Sequence, residues 1–447
     1  MTHKNPLIMG TVILTVTGLI SRLIGFLYRI FLSRIFGASG MGIYQLTSPI
    51  LALSFAITAA GMQTAISKYV AGETTTKNYR SSADHLVTGF VIAMSVSLAC
   101  TWFIYVYADF LAVHFLLEAR TAPLLRILSF SIPMATVHSC INGYFYGIRK
   151  AAVPALSQLA EQIVRVGSVF IIYAVCKQQG YTPTISFAVI GLVIGESAAM
   201  LVSIIAIKSR FNHLQLRDHT NWPNCRAPGN LTHYYTITRR LLHLAIPLSA
   251  NRVIINFLAS IEAVCIPNRL MAYGLSHTAA LSIYGILTGM ALPMILFPSA
   301  ITNSICVLLL PVVSEADAGG SLRTIKKAVS KSIRYGLLLG MLCTAGFLLL
   351  GRPMGNYLFR EAQAGTFIMA LSFLCPLMYI ASTLNSILNG LGKTTLTFCY
   401  SLVSLLLRLG FVFFLIPVFG IQGYLWGLLA SQLLQTGLCL FSVRRYL

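Results

Sequence analysis

Charged residues are scarce in this chain of 447 residues, since Asp, Glu, Lys and Arg together make up only 10% of it. A soluble globular domain usually has about 25% charged residues, so the composition excludes an ordinary soluble fold. Hydrophobic residues make up 57% of the chain, and the mean hydropathy is +0.79. Apolar runs of about 20 residues, long enough to span the hydrocarbon core of a bilayer, recur along the whole length. The sequence therefore predicts an all-α polytopic membrane protein.

Acidic residues are the scarcest charges: 11 Asp and Glu stand against 32 Lys and Arg, which gives a net charge of +21. Such an excess could indicate nucleic-acid binding, but the positive charges lie in short loops between apolar runs, as the positive-inside rule describes. With the N-terminus inside, 20 of the 32 lie in predicted cytoplasmic segments, seven in outer loops or at outer span ends, and five within spans. We therefore expect both termini in the cytoplasm and no nucleic-acid partner.

Motifs for redox, metal or nucleotide chemistry are missing. The ten cysteines are scattered without a CxxC pair, and the chain has no DxD, no metal-like His cluster and no G-x-x-x-x-G-K-[ST]. We expect no disulfide framework, no metal site, no cofactor and no ATP hydrolysis. A membrane glycosyltransferase or polymerase would need an acid/base or metal site near a leaflet surface, whereas the outer loops carry only Asp109, Glu118 and Glu361. We therefore expect that the protein is not an enzyme and has no catalytic residues.

Twelve apolar segments predict membrane-spanning helices, at about 7–32, 43–70, 85–107, 122–148, 154–176, 184–207, 241–266, 281–310, 335–351, 367–391, 395–417 and 421–443. The longest hydrophilic segment, about 208–240, contains Pro223, Pro228 and Gly229 and predicts a central linker. We expect an N-terminal six-helix lobe over 1–215, a cytoplasmic linker over 216–239 and a C-terminal six-helix lobe over 240–447.

The two predicted halves share an internal repeat. Without gaps, RILSFSIPMATVHSCINGYFYGIRK (126–150) aligns with MALSFLCPLMYIASTLNSILNGLGK (369–393), at an offset of 243 residues. The matches include proline, asparagine, glycine and lysine, which chance similarity between apolar helices does not explain. The same offset carries Arg165 onto Arg408. Two parallel six-helix repeats, related by an axis along the membrane normal, predict two lobes around a central cavity, as in transporters.

The first predicted helix carries arginines, although an arginine at the bilayer centre costs at least about 2.5 kcal/mol. Spacings of three and four residues put one stripe on a single helix face, formed by Thr11, Thr15, Gly18, Arg22, Gly25 and Arg29. We expect this stripe to face a water-filled cavity or another helix rather than lipid.

Other ionisable and polar residues lie within later spans. Arg252 and Asn256 share a face of helix seven, and Glu161 precedes Arg165 by four residues, the order that favours an ion pair. The predicted substrate-binding residues are Arg22, Arg29, Arg165, Arg252, Asn256 and Arg408. The predicted coupling or structural ion-pair residues are Glu161, Glu196 and Glu262. Two alternatives stay open: Arg29 reaches the outer headgroups by snorkelling, and Glu161 with Arg165 is a buried structural pair.

The sign of the intramembrane charge indicates the cargo. Five arginines lie within the predicted spans, against three glutamates. Guanidinium groups bind phosphate in bidentate fashion, whereas a cationic drug would require the opposite balance. The sequence therefore predicts an anionic cargo, such as a phosphate or diphosphate.

Four stretches resemble a known family: ISRLIGFLYRIFLSRIFGASGMGIYQL (20–46), AGMQTAISKYVAG (60–72), INGYFYGIRK (141–150) and QLAEQIVRV (158–166). In order and spacing they are similar to the polysaccharide-biosynthesis branch of the multidrug/oligosaccharidyl-lipid/polysaccharide exporter superfamily, most of all to the group of stage V sporulation protein B. The resemblance extends over nearly the whole chain. It departs at Met62-Gln63, where relatives often have Ile-Pro, and in the twelve predicted spans, where many sporulation relatives have fourteen.

The resemblance implies a V-shaped, two-lobed bundle in the bacterial cytoplasmic membrane, working by alternating access and driven by ion gradients or membrane potential. It also implies a lipid-linked cargo, an undecaprenyl-diphosphate oligosaccharide or peptidoglycan precursor, moved from the inner to the outer leaflet. Arg22 and Arg252 correspond in place to arginines that line the cavity of related flippases.

We therefore predict a flippase or exporter of an anionic lipid-linked oligosaccharide or peptidoglycan precursor, with membrane lipids as its other partners and a monomer as its working form. The alternative is a multidrug and toxin extrusion cation antiporter of the same fold. That alternative would need acidic residues deep in the cavity, and the arginine excess argues against it.

Overall fold

The structure, a computed structural model, describes residues 6–75, 79–217 and 231–446, and the regular elements in these ranges are all helices. The main helices are α1 (Pro6–Phe55), α2 (Gly61–Thr75), α3 (Tyr79–Val106), α4 (Ala122–Ser129), α5 (Ser131–Gly147), α6 (Ala152–Gln178), α7 (Ser186–Arg217), α8 (Leu231–Ala272), α9 (His277–Gly285), α10 (Leu292–Leu296), α11 (Ser299–Ala318), α12 (Leu322–Pro353), α13 (Ala362–Leu371), α14 (Leu374–Gly390), α15 (Thr394–Phe414) and α16 (Ile421–Tyr446). Short helical turns complete the connections at Ala56–Ala60, Ala108–Phe110, Leu111–Phe115, Ala119–Thr121, Ile286–Ala291, Met354–Phe359 and Ile416–Phe419.

The helices are long and apolar enough for a polytopic membrane protein. In the described part of the chain, ten helices could each cross a bilayer, and the number rises to twelve when two bent pairs each count as one span. The bent pairs are Ala119–Ser129 with Ser131–Gly147, at 43°, and Ala362–Leu371 with Leu374–Gly390, at 51°. The predicted all-α architecture of about twelve spans is confirmed.

Two predicted spans meet at a kink within α1. Gly37 has φ 65° and ψ −175°, a backbone conformation that residues with a Cβ rarely adopt. Because this residue is not helical, the chain changes direction between the predicted spans 7–32 and 43–70.

The prediction of one helix over 281–310 is wrong. The structure has two candidate spans there, His277–Leu296 and Ser299–Ala318. Pro298 has no backbone N–H to donate to the carbonyl four residues earlier, and Phe297 donates instead to the Met294 carbonyl at 3.2 Å. The helix therefore breaks at this point.

Helix α12 begins well before the predicted span 335–351. Its first half is amphipathic, because Ile325, Val329 and Ser332 are buried while the lysines between them are exposed. Basic residues interrupt the apolar run in the sequence, but at helical spacing they occupy only the outer face. The helix therefore continues through a segment that hydropathy alone assigns to a loop.

Contacts divide the chain into two compact units. Unit 1 consists of Met1–Gly25 and Thr47–Phe257, and unit 2 of Phe26–Leu46 and Leu258–Leu447. The predicted linker over 216–239 has its larger part, residues 218–230, outside the described residues, and the predicted boundary at 240 falls inside α8. The division into lobes over 1–215 and 240–447 stays a prediction.

The 243-residue offset also holds for local geometry within each unit. In unit 1 the Thr101 hydroxyl donates to the Ser129 carbonyl at 3.2 Å, and in unit 2 the Thr344 hydroxyl donates to the Ser372 carbonyl at 2.8 Å. Each of these carbonyls lies at the bend of a bent helix pair. The same bend therefore recurs with the same side-chain hydrogen bond.

Unit 2 contains a close helix crossing built on two glycines. A Cβ at Gly42 would lie 2.2 Å from the Leu281 carbonyl oxygen, and one at Gly285 would lie 2.1 Å from the Ala38 carbonyl oxygen. Gly42 and Ala38 correspond to Gly285 and Leu281 at the same offset of 243 positions. Small residues let helix backbones approach in membranes, so these glycines set the packing of α1 against α9.

Candidate functional site

A buried ion cluster lies within unit 1, on three consecutive helices. It consists of His138 and Asn142 on α5, Glu161 and Arg165 on α6, and Glu196 on α7. The side chains of the four ionisable members are only 12–16% exposed. Because charges are expensive to bury unless they are paired, this cluster is held by specific contacts.

Arg165 joins the two carboxylates of the cluster. Its Nη2 donates to Glu161 Oε1 and lies 3.8 Å from Glu196 Oε1. His138 Nε2 is 2.9 Å from Glu196 Oε2, and the Asn142 amide is 3.4 Å from His138 Nδ1. The order of contacts is therefore Glu161, Arg165, Glu196, His138, Asn142.

Small residues bring the helices of the cluster together. A Cβ at Gly195 would lie 2.9 Å from both the Arg165 Cβ and the Glu161 carbonyl oxygen. Only a glycine allows α7 to approach α6 so closely, which puts Glu196 beside Arg165. Within α6, the separation of four residues puts Glu161 and Arg165 on one face.

The charges of the cluster do not balance when His138 is neutral. Two carboxylates against one guanidinium then leave a net charge of −1, and protonation of His138 brings the cluster to zero. Ligand atoms of His138, Glu161 and Glu196 lie within 4.8 Å of one another, while Arg165 occupies the same space and disfavours a divalent ion. The Asn142 Oδ1 is buried without a hydrogen-bond partner among the described residues. The arrangement suits one proton or monovalent cation.

The repeat keeps the arginine and the asparagine of this cluster, as Arg408 and Asn385, but not its other members. At the offset of 243, Arg165 corresponds to Arg408, while His138, Glu161 and Glu196 correspond to Ala381, Ser404 and Cys439. The excess negative charge is therefore found at these positions of unit 1 and not at the equivalent positions of unit 2.

Arg408 forms a different ion pair within unit 2. Its Nη2 donates to Glu262 Oε2 at 2.6 Å, and its Nε lies 2.6 Å from Glu262 Oε1. The Tyr424 hydroxyl donates to Glu262 Oε1 at 2.8 Å. The Glu262 carboxylate, from α8, is 5% exposed. Three helices, α8, α15 and α16, are thereby joined.

A cavity of about 310 Å³ adjoins this pair in unit 2. Its polar lining consists of Glu262, Arg408, Tyr424, Tyr284, Thr288 and Gln432. Its volume is near the lower end of the range for small-molecule sites, about 300–1,000 Å³. The cavity could admit water or a small polar group beside Arg408.

The remaining predicted substrate residues lie on the first and eighth helices. Arg22 and Arg252 belong to unit 1 and have exposed side chains, whereas Arg29 belongs to unit 2 and is half-buried. The Asn256 amide donates to the Ala52 carbonyl at 3.4 Å, which anchors α8 to α1 within unit 1. A single substrate site that unites these residues stays a prediction.

Sequence reasoning missed two members of these clusters, His138 and Tyr424. His138 is a lone histidine inside an apolar span, one turn before Asn142, and intramembrane ionisable residues are functional candidates by default. That signal could have identified it. Tyr424 has no such signal, because tyrosines are frequent in this chain and its partner Glu262 is 162 residues away.

Lys150 lies outside the membrane-spanning segments, in the connection between α5 and α6. Burial lowers the pKa of Lys150, and the nearby positive charge of Arg210 lowers it further. Neither Lys150 nor Arg210 belongs to the intramembrane clusters.

Comparisons with known proteins agree with this architecture. A family model described as polysaccharide biosynthesis protein matches residues 7–317. Stage V sporulation protein B of Bacillus subtilis (strain 168) is 26% identical over 446 residues, covering 99% of this chain and 85% of that protein. Lipid II flippase MurJ of the same organism is 22% identical over 407 residues, covering 87% and 74%. The inward-facing structure of a MATE family multidrug transporter matches with a TM-score of 0.67 at 15% identity, covering 95% and 94% of the two chains.

Proposed function

Because the chain belongs to the polysaccharide biosynthesis protein family, we propose that it is a flippase for an anionic lipid-linked oligosaccharide or peptidoglycan precursor, such as an undecaprenyl-diphosphate sugar. The names of two relatives, a sporulation protein and a lipid II flippase, support this substrate class. The protein works in the bacterial cytoplasmic membrane by alternating access, as a monomer with both termini in the cytoplasm.

The observation that carries this proposal is that Glu161, Glu196 and Glu262 each contact a basic side chain of the protein. Glu161 contacts Arg165, Glu196 contacts Arg165 and His138, and Glu262 contacts Arg408. A cationic substrate would have to displace an internal cation from each carboxylate, whereas an anionic substrate would not. The occupied carboxylates therefore support an anionic cargo over a cationic drug.

The arginines bind the diphosphate in this proposal. Arg22 and Arg252, whose side chains are exposed, make the first contacts, and Arg29 and Asn256 are the further predicted contacts. Guanidinium groups offer the planar pair of donors that a phosphate accepts. Arg165 and Arg408 reach the cargo only by exchanging a carboxylate for a phosphate.

The ion cluster of unit 1 supplies the coupling step. Uptake of one proton by the His138–Glu196 pair takes the cluster from a net charge of −1 to zero, which removes the cost of an unbalanced buried charge. A conformational state that buries the cluster is therefore favoured after protonation. No nucleotide is needed for this step.

The test of the cargo is a flipping assay in proteoliposomes with a fluorescent undecaprenyl-diphosphate sugar. Arg22→Ala and Arg252→Ala each remove a charge-assisted hydrogen bond worth about 1.5–3 kcal/mol, so we expect roughly 10- to 100-fold weaker binding. Arg22→Lys and Arg252→Lys should recover part of it, because they keep the charge but lose the bidentate geometry.

Arg352→Ala is the matched control, since Arg352 is an exposed arginine of α12 outside the predicted site. Native mass spectrometry of the purified protein gives an independent measurement of binding. Selective retention of undecaprenyl-diphosphate lipids, weakened in Arg22→Ala but not in Arg352→Ala, supports the flippase. Retention of lipophilic cations with indifference to the diphosphate would reject it in favour of the drug antiporter.

A further inference from the structure

A surface groove runs between α11 and α12 in unit 2, with part of α14 at its base. Its volume is about 410 Å³. Apolar side chains from both helices form its walls: Ile305, Leu309, Val312, Tyr335 and Leu339. Several of them are well exposed, with Tyr335 at 60% and Val312 at 48%. The groove is therefore an open apolar channel on the side of the unit.

Small residues make the base of the groove. Thr302, Thr383 and Gly336 line it and are buried. A Cβ at Gly336 would lie 3.2 Å from Ile380 Cγ1, so α12 packs closely on α14 and closes the groove from below. A ligand would therefore lie along the groove without passing into the interior of the unit.

One end of the groove is cationic. Lys327 and Lys331 line it, and their separation of four residues puts both on the same face of α12. Tyr335, four residues further, continues this face into the apolar part. Neither lysine pairs with a carboxylate in the described part of the chain. Two lysine ammonium groups thus lie next to an apolar channel.

The residues around the groove are also mostly basic. Between residues 311 and 334 the chain has five basic residues and two acidic ones, Glu315 and Asp317. On the opposite flank of α12, Lys326, Arg334 and Arg444 line a separate depression of about 620 Å³ together with the apolar Val329, Ile333 and Leu337. The exposed face of the first half of α12 therefore attracts anions on both flanks, and the α11–α12 groove differs in having its base closed by the packing of Gly336 against Ile380.

We propose that this groove is a binding site for an anionic phospholipid. Lys327 and Lys331 bind the phosphate of the headgroup, and one hydrocarbon chain lies along Ile305, Leu309 and Val312. Charge complementarity selects the occupant, because a neutral apolar ligand would leave the two ammonium groups unused. Basic pockets between membrane helices are known to hold anionic headgroups in this way. The proposal does not depend on the cargo or on the orientation of the chain.

The experiment is native mass spectrometry of the full chain released from nanodiscs that contain equal amounts of phosphatidylglycerol and phosphatidylcholine. The wild type should retain phosphatidylglycerol selectively. The double variant Lys327→Gln/Lys331→Gln should lower this retention about tenfold or more, because it removes both charge-assisted contacts to the phosphate. A variant that fills the channel, Ala328→Phe, should lower it while keeping both lysines.

Lys326→Gln is the matched control, because it removes one charge from the same helix outside the groove. Unchanged retention in this control, with loss in the other two variants, supports a specific site. Equal loss in Lys326→Gln indicates diffuse attraction to anionic lipid and overturns the proposal. Lack of selectivity for phosphatidylglycerol in the wild type also overturns it. Melting temperatures in detergent identify any variant that fails to fold.

Discussion

At the scale of single residues, the intramembrane arginines Arg165 and Arg408 are held by carboxylates from different helices. Arg165 is bound by a glutamate of its own helix and approached by one from α7, while Arg408 is bound by Glu262 from α8. Removing one partner from a buried pair costs about 3–5 kcal/mol, because the other charge stays buried. Glu262, at 5% exposed, would stay buried without Arg408, so separating that pair is costly unless another charge replaces the lost partner.

The proposed proton site gives a prediction at this scale. Imposing a pH difference across proteoliposomes should change the initial rate of flipping by the wild type. Glu196→Gln and His138→Gln should remove this response, because the cluster then no longer alternates between net charges of −1 and zero. The groups that face His138 are Glu196 from α7, Asn142 from its own helix, and Glu161 and Arg165 from α6.

His243→Gln is the control for this measurement, since His243 is an exposed histidine of α8 in the same unit. It should respond as the wild type does. A full response to the pH difference in both Glu196→Gln and His138→Gln would exclude the cluster as the coupling site.

Contacts within one helix of these clusters could be predicted from the sequence, whereas contacts between helices could not. Glu161 and Arg165 pair because they are four residues apart on a helix, which spacing alone gives. The approach of Glu196 depends on Gly195, which admits α7 next to α6. The pairing of Glu262 with Arg408 joins residues 146 positions apart, and no periodicity carries that information.

At the scale of helices, hydropathy predicted the spans well but not their interruptions. The Pro298 break and the early start of α12 both depend on backbone hydrogen bonding and on which face is buried, neither of which an averaged hydropathy contains. The repeat was detectable because proline, asparagine and glycine recur at one offset. Its structural basis includes the hydrogen bonds of Thr101 and Thr344 at the two bends.

The glycine crossing in unit 2 gives a prediction at this scale. Gly285→Ala and Gly42→Ala should each lower the melting temperature of the detergent-purified protein substantially. The added Cβ would meet a backbone carbonyl oxygen at 2.1–2.2 Å, and a backbone cannot move aside as a flexible side chain can. Overpacking of this kind typically costs about 1–3 kcal/mol.

Gly346→Ala on α12 is the matched control, because nothing lies within 4 Å of a Cβ at that position. Alanine is a better helix former than glycine by roughly 1 kcal/mol, so this variant should melt at the same temperature or higher. A similar melting temperature for Gly285→Ala and Gly346→Ala would show that the crossing is looser than the structure describes.

At the scale of the whole molecule, each unit contains its own buried apolar cluster, one around Ile66, Cys140 and Tyr144 and the other around Leu384, Ile387 and Leu388. Each unit also contains its own intramembrane ion pair. These features support the proposal that one chain contains everything that transport requires. Composition sufficed for the membrane assignment because apolar residues packed inside each unit and apolar residues on its surface both raise the mean hydropathy of the sequence.

The prediction at this scale concerns oligomeric state. In proteoliposomes at low protein density, a single fluorophore per chain should bleach in one step. The flipping rate per chain should be independent of density, because the proposed monomer needs no second copy for transport. Two-step bleaching together with a rate that rises with density would contradict a working monomer, and an inactive Arg22→Ala/Arg252→Ala variant serves as the control for leakage.

The repeated arginine has a consequence for the history of the molecule. Arg165 and Arg408 occupy equivalent positions of the two halves, yet their counter-ions come from non-equivalent positions, Glu161 on α6 and Glu262 on α8. If the halves descend from one ancestral gene segment, the ancestor's counter-ion was lost or moved in at least one copy while the guanidinium persisted. On that descent, both copies kept a guanidinium that needs a counter-ion, while the position of the counter-ion diverged.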